Sequence, residues 1–285
     1  MASGPALLSQ LKDIETTELT NVLAYGPSGS GKTWFCGTAG PRTLFINIGN
    51  GIKTIQSPLF KKTYPGYGDM LVASINEPVD SRGYPLAADA FDIVSDTLDV
   101  ALKTAGDKFD TIVIDDASAL RRFALNKGLE INQKLGRSKS NEQGKSNDVQ
   151  IVAVQDYAIE MNLIEQFVAG YSVIAREAGK HLIVTAHERN IYKKGDKIGE
   201  APTLYKIKPG FTGQTFPDAV TQYFDWVFHL ESVAGGSTGT VYRARTSGDD
   251  MITAKCRDAG VFGSVETNPH FLRLMEKVNK LKKEN

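Results

Sequence analysis

Eight consecutive residues near the start of the chain have the composition and spacing of a phosphate-binding loop. They match the pattern GxxxxGK[ST], whose glycines let the backbone curl around a phosphate while the lysine and the hydroxyl reach phosphate oxygens and a metal ion. The residues that fill the pattern are Gly26, Pro27, Ser28, Gly29, Ser30, Gly31, Lys32 and Thr33. The motif predicts that the chain binds ATP with Mg²⁺, with Lys32 on the β- and γ-phosphates and Thr33 on the metal. The alternative is a glycine-rich turn without a ligand.

Two adjacent carboxylates follow an apolar run that predicts a buried strand, Thr111–Asp115. A carboxylate at the end of such a strand lies beside the phosphate loop and can hold Mg²⁺ directly or through water, so Asp115 is the expected metal ligand. Asp116 is a candidate catalytic group. The alternative for either residue is an N-cap, because a helix is predicted to begin at Ala117.

A histidine occupies the corresponding place after the next predicted strand, His181–Ala186. Polar residues at the carboxyl ends of strands in a parallel sheet face the ligand crevice. His187 is therefore a candidate sensor of the γ-phosphate, and the alternative is a surface histidine at the start of a loop.

Strand-like and helical segments alternate up to residue 186, which predicts an α/β fold with a mainly parallel sheet flanked by helices. Three later strand-like runs and a turn signal predict an antiparallel hairpin at the C-terminal end of the sheet, followed by an amphipathic terminal helix. The runs are Trp226–Leu230, Thr240–Arg245 and Met251–Cys256, and the turn Ser247–Asp250 lies between the last two, which are expected to form the hairpin. We expect residues 1–19 to be a lead-in and residues 20–285 to form a single domain.

The composition limits the classes of protein to which the chain can belong. Its 33 basic and 33 acidic residues give a formal net charge of zero, so a nucleic-acid contact requires local basic segments. The two cysteines, Cys36 and Cys256, have no CxxC spacing, and the four histidines have no metal-site spacing. The sequence contains neither a signal-peptide pattern nor a long apolar stretch, so we expect a cytoplasmic protein without a membrane contact.

Three segments together resemble a known family. IVIDDASAL (112–120) resembles the Walker B strand and following helix of RecA-type recombinases, and LIVTAHER (182–189) resembles their next core strand. ITAKCRDAGVFG (252–263) is similar to the Lys-x-Arg strand ending of RadA-like and phage RecA-like ATPases. The closest similarity is to the phage RecA-like P-loop ATPases, a group that includes single-strand annealing proteins, and it covers roughly residues 18–280.

This resemblance implies a RecA-like ATPase core that assembles into rings or filaments on single-stranded DNA, with ATP at the subunit interfaces. It implies a role in DNA recombination or strand annealing, a single-strand-binding protein as a further partner, and the host cytoplasm as the location if the chain is phage-encoded. Lys255 and Arg257 would then act in trans on the γ-phosphate of the neighbouring subunit, where two cations stabilise the transferring phosphoryl group. The alternative is an exposed strand end with alternating charges.

The sequence departs from the family at one position. In RecA-like proteins the strand after the P-loop helix ends in a catalytic glutamate that positions the attacking water, and the corresponding residue here is Gly49. Because glycine cannot polarise water, we expect either slow hydrolysis or replacement of the glutamate by Asp116.

Two polar segments, 134–149 and 188–217, are predicted to be mobile loops and correspond to the DNA-binding loops of the family. Basic residues interleaved with aromatic rings suit a single strand, because charges bind phosphates and rings stack on bases. The candidate DNA-binding residues are Arg137, Lys139, Arg189, Tyr192, Lys193, Lys194, Lys197, Tyr205, Lys206 and Lys208. The alternative is a pair of solvated loops.

Two other functions compete with DNA binding. One is an ATPase motor or helicase loader that acts mainly through protein partners. The other is a nucleotide or small-molecule kinase, which is disfavoured because the sequence has no arginine-rich lid signature.

Overall fold

The computed structural model describes residues 18–81, 83, 85–133, 152–193, 201–235, 239–258 and 260–284. The strands in this part of the chain are β1 (Asn21–Gly26), β2 (Thr43–Asn47), β3 (Leu71–Ser74), β4 (Thr111–Asp115), β5 (His181–Lys193), β6 (Thr203–Pro209), β7 (Trp226–Ala234), β8 (Thr240–Arg245), β9 (Lys255–Cys256) and β10 (Val265–Thr267). The helices are α1 (Lys32–Gly37), α2 (Ile52–Ile55), α3 (Pro58–Thr63), α4 (Ala90–Ala105), α5 (Ala117–Ile131), α6 (Val154–Glu177), α7 (Phe216–Ala219) and α8 (Phe271–Glu284).

The strands form one sheet in the order β10-β8-β7-β1-β5-β4-β2-β3, with β6 paired to β5 and β9 paired to β7. The central strands are parallel, and β1 lies between β5 and β7. Every residue of β1, β2 and β4 is buried, as expected for parallel strands that are covered on both faces. The predicted α/β fold class, with antiparallel strands near the C-terminus and a terminal helix, is confirmed.

Two apolar layers cover the sheet. On one face, residues of α4, α5 and α6 such as Phe91, Leu120 and Phe167 pack against the strands. On the other face, α1, α3 and α8 contribute residues such as Phe35 and Phe271. Burial of both faces fixes the strands relative to one another, so the residues that follow β1 and β4 meet His187 of β5 at one edge. Among the described residues, no helix has both the length and the apolarity to cross a bilayer.

The predicted pairing of the C-terminal hairpin was wrong in one respect. The hairpin is formed by β7 and β8, and β8 pairs on its other side with β10. The turn residue Asp249 accepts hydrogen bonds from the backbone N–H groups of Met251 and Ile252, at 2.8 and 2.6 Å. The chain then turns away from β8, and Ile252 bridges to Ile207 of β6 instead.

The polar segment 188–217 is not an irregular loop in its described part. Strand β5 continues beyond Ala186 to Lys193 and pairs antiparallel with β6, after which α7 follows. The polar composition concealed this ribbon because most of the residues in its strands are at least partly exposed and need few apolar side chains. Helix α5 ends at Ile131 rather than at Leu135, and the other predicted loop, residues 134–149, lies outside the described residues.

Candidate nucleotide-binding site

The phosphate-loop motif connects β1 to α1 at the carboxyl edge of the sheet. Gly29 and Gly31 have φ angles of 79° and 88°, a left-handed conformation that glycine adopts without steric cost. Lys32 donates from Nζ to the carbonyl oxygens of Gly26 and Pro27, at 2.9 and 2.8 Å, and so spans the loop. Burial lowers the pKa of Lys32, and the nearby carboxylates of Asp116 and Asp115 oppose this effect.

The loop borders a cavity of about 280 Å³. Its lining includes five of the eight motif residues together with groups from β4, β5 and β8. The lining residues are Ser28, Gly29, Gly31, Lys32, Thr33, Trp34, Gly49, Gly51, Thr54, Asp115, Asp116, His187 and Tyr242. The other three motif residues, Gly26, Pro27 and Ser30, do not line the cavity. Ser30 is buried and donates from its N–H to the carbonyl of Pro27, which stabilises the loop.

Thr33 and Asp115 lie together, as the sequence predicted for a metal site. The Thr33 hydroxyl donates to Oδ2 of Asp115 at 2.8 Å, and the Thr185 hydroxyl donates to Oδ1 at 2.6 Å. Asp115 is only 2% exposed, and burial raises the pKa of its carboxyl group. A hydroxyl and a buried carboxylate are the hard oxygen donors that Mg²⁺ takes from proteins alongside phosphate and water, so the residues present fit this ion.

Asp116 caps a helix with one carboxylate oxygen and has the other at the cavity. Its Oδ1 accepts the N–H of Ala119 at 2.7 Å and caps helix α5. Its Oδ2 points the other way, 3.6 Å from Nε2 of His187. A Cβ atom added to Gly49 would lie 2.9 Å from this same Oδ2. The carboxylate therefore takes up the space in front of residue 49, the position at which the resemblance to RecA-like proteins implied a glutamate.

His187 lies beside Gly26, at the point where β5 leaves the parallel part of the sheet. Its backbone N–H donates to the Ser118 hydroxyl at 2.9 Å, and its side chain is about half exposed and lines the cavity. The position is the one predicted from the strand pattern.

Sequence reasoning missed several residues of this site. Thr185 was detectable as a polar residue inside an otherwise apolar run, but its contact with Asp115 was not. Gly51 is required because a Cβ atom there would overlap the carboxylate of Asp115. Trp34 and Tyr242 approach from different elements, and no local pattern joins them.

The structure does not bring Lys255 and Arg257 to the phosphate loop of their own chain. Lys255 pairs with Val227 near the start of β7, and Arg257 donates from Nη1 to Asp225 at 2.8 Å. Asp225 also accepts the N–H of Asn21, the first residue of β1. Both cations thus lie toward the amino ends of the strands, whereas the phosphate loop follows their carboxyl ends. Burial, followed by the charge of Arg257, lowers the pKa of Lys255.

The predicted DNA-binding residues in the β5–β6 ribbon fall into two groups. Arg189 and Lys208 are held by the protein itself, Arg189 by the carbonyl oxygen of Gly213 at 2.6 Å and Lys208 by Asp218 at 2.5 Å. The remaining four are exposed to different degrees: Tyr192, Lys193, Tyr205 and Lys206. Another four lie outside the described residues: Arg137, Lys139, Lys194 and Lys197.

Comparison with known proteins assigns the chain to a family. Residues 19–257 match the AAA domain family, and the chain belongs to that family. Membership implies nucleotide binding at the phosphate loop. No curated protein matches the sequence.

Two solved structures show a distant likeness. A KaiC-like protein from Pyrococcus horikoshii is 12% identical, with 80% of this chain and 77% of that chain covered at a TM-score of 0.39. The flagellar accessory protein FlaH from Methanocaldococcus jannaschii is 12% identical, with 88% and 90% covered at a TM-score of 0.36. Neither likeness is close enough to support an argument about function.

Proposed function

We propose that this protein is an ATPase that binds single-stranded DNA in its ATP-bound state and acts in recombination or strand annealing. One observation carries the proposal. The strand that places His187 at the cavity continues as the exposed β5–β6 ribbon, which presents basic and aromatic side chains. A single element therefore extends from the γ-phosphate end of the cavity to a surface suited to a nucleic acid.

The chemistry of the ribbon favours a single strand. Tyr192 and Tyr205 are 55% and 48% exposed, so each offers aromatic surface on which a base can stack, although Lys193 covers one face of the Tyr205 ring. The ammonium group of Lys193 lies 3.9 Å from the centre of the Tyr205 ring, so a positive charge for the phosphate backbone sits next to a stacking surface. Because the whole chain has a net charge of zero, contact with a nucleic acid requires a local basic segment, and the ribbon provides one.

The cavity residues have distinct roles in ATP hydrolysis. Lys32 would bind the β- and γ-phosphates, and Thr33 and Asp115 would hold Mg²⁺, which would supply positive charge against the phosphates. Oδ2 of Asp116 accepts a hydrogen bond from the attacking water, and His187 lies against the γ-phosphate. Because aspartate is shorter than glutamate and one of its oxygens caps α5, we expect slow turnover.

Assembly into a ring or filament completes the site. Arg257 and Lys255 lie away from the phosphate loop of their own chain, and a neighbouring subunit is the partner to which they would supply positive charge. In this arrangement ATP is bound between subunits, so it stabilises assembly as well as serving as a substrate.

Fluorescence anisotropy of a labelled oligonucleotide tests the proposal. Binding should require ATP or a non-hydrolysable analogue and weaken by orders of magnitude between about 50 and 200 mM salt. The double variant Lys193→Ala/Lys206→Ala should weaken binding and reduce its salt dependence. The matched control Lys103→Ala/Lys108→Ala removes two exposed lysines at the C-terminal end of α4 and just beyond it, and should bind like the wild type. Equal losses in both double variants, or no binding in the presence of nucleotide, would favour the protein-partner ATPase instead, and binding without nucleotide would contradict the ATP dependence.

A further inference from the structure

We propose that Tyr242 is the platform on which the base of the bound nucleotide stacks, an inference that rests on the nucleotide binding described above. The sheet order places Tyr242 and the catalytic groups on opposite sides of the phosphate loop. Strand β8, which carries Tyr242, lies beyond β7 on one side of β1, whereas His187 lies in β5 and Asp116 follows β4 on the other side. The cavity extends between these two sides and includes residues of both.

The β7–β8 hairpin brings Tyr242 over the loop. Strand β7 is in register with β1 up to His229 and then continues to Ala234, so the hairpin projects past the phosphate loop. The backbone of Tyr242 is held by Asn268, which accepts its N–H through Oδ1 at 3.1 Å and donates to its carbonyl oxygen at 2.7 Å. The ring is therefore carried by a strand that is fixed on both sides.

The ring lies directly against the loop. A Cβ atom added to Gly31 would come within 2.6 Å of Cδ1 of Tyr242, so the absence of a side chain at residue 31 is what admits the ring. The centre of the Tyr242 ring lies 6.1 Å from that of Trp34, the residue that follows Thr33. Two aromatic rings thus border the cavity immediately beside the phosphate-binding residues.

The direction of the nucleotide follows from the charged residues. The described groups that suit the triphosphate and its metal are Lys32, Thr33 and Asp115, and the γ-phosphate end is bounded by Asp116 and His187. The nucleoside must leave the loop on the side away from these two residues, toward β7 and β8. At that side the lining offers aromatic faces rather than charges, and an aromatic face is a suitable partner for a base.

The test distinguishes the contribution of the base to binding affinity from that of the phosphates. Isothermal titration calorimetry on the full chain would use two ligands with Mg²⁺, ATP and inorganic tripolyphosphate. Tyr242→Ala should weaken ATP binding by roughly 5- to 150-fold, the range for loss of one stacked base, and leave tripolyphosphate binding unchanged. Tyr242→Phe keeps the ring and should bind ATP like the wild type. Tyr157→Ala removes an exposed tyrosine from α6 and is the matched control.

Each other result contradicts the proposal in a distinguishable way. Equal weakening of both ligands by Tyr242→Ala would show that the ring only supports the loop at Gly31. Unchanged ATP binding would show that the base lies elsewhere while nucleotide binding itself stands. A wild-type chain that binds neither ligand would overturn both this inference and the proposed function.

Discussion

At the scale of single residues, the proposed function is tested most directly at Asp116, which caps a helix and also lines the cavity. Its Oδ1 caps α5 through Ala119, and its Oδ2 faces the cavity next to His187. The two roles can be separated, since asparagine caps a helix about as well as aspartate does but cannot accept a proton from water. Substitution with asparagine therefore removes the chemistry and keeps the structure.

The variant Asp116→Asn should bind ATP like the wild type and hydrolyse it on the order of 10²- to 10⁴-fold more slowly, the usual contribution of a general base. Steady-state phosphate release gives the hydrolysis rate, and calorimetry gives the affinity. Its thermal stability should match that of the wild type because the cap is retained. Turnover that is unaffected by the substitution would mean that another group orients the water.

Sequence reasoning was most effective where one residue type is tied to one local motif. The phosphate loop, Asp115 and His187 were placed at the cavity because each follows a strand of the parallel sheet. Thr185 and Tyr242 were missed because their contacts join segments that are distant in the chain, with Thr185 lying 70 residues from Asp115. Such contacts depend on strand order, which local periodicity does not encode.

At the scale of elements, an ion pair with a buried carboxylate links α5, α6 and the β5–β6 ribbon. Arg121 of α5 donates from Nε to Glu160 of α6 at 2.7 Å and from Nη1 to the carbonyl of Gly210, just after β6. Thr212 donates to the same carboxylate, whose side chain is only 2% exposed. This network anchors the base of the ribbon to α5, the helix that Asp116 caps.

Removing the arginine should therefore be costly. Arg121→Ala leaves the buried Glu160 carboxylate without its cation, and we expect a loss of about 3–5 kcal/mol in the free energy of unfolding. The matched control is Arg42→Ala, which breaks an ion pair with Asp110 whose two side chains are both more than half exposed, and should cost at most about 1 kcal/mol. Urea denaturation measures both values, and similar losses would contradict the anchoring role.

The ribbon also shows why element boundaries were harder to predict than element types. The apolar run His181–Ala186 predicted only the part of β5 that lies inside the sheet, where burial requires apolar residues. The outer part is stabilised by pairing with β6, a backbone interaction that leaves little trace in side-chain type. The turn around Asp249 was detectable because turns favour particular residue types. The pairing of β8 with β7 and β10 was not, because it consists of backbone hydrogen bonds.

At the scale of the whole molecule, the proposal that ATP is bound between subunits depends on where Arg257 acts. Arg257 is bound to Asp225 near the start of β7, away from the cavity. Arg176 of α6 binds the same carboxylate at 3.1 Å and provides an internal comparison. If Arg257 only stabilises Asp225 within its own chain, substitutions of Arg257 and Arg176 should have similar effects on turnover. If Arg257 acts in a neighbouring site, only its substitution should reduce turnover.

Mixing two inactive variants distinguishes these possibilities. The variant Lys32→Ala lacks a working phosphate loop but keeps Arg257. The variant Arg257→Ala keeps the loop, and its turnover should fall on the order of 10³-fold, the effect of removing a cation supplied in trans. An assembly of both contains interfaces where an intact loop meets an intact Arg257, so the mixture should recover ATPase activity, with a maximum at an intermediate ratio. Arg176→Ala should retain turnover by itself. If the mixture stays as inactive as its components under conditions where sedimentation shows mixed assemblies, Arg257 acts only within its own chain.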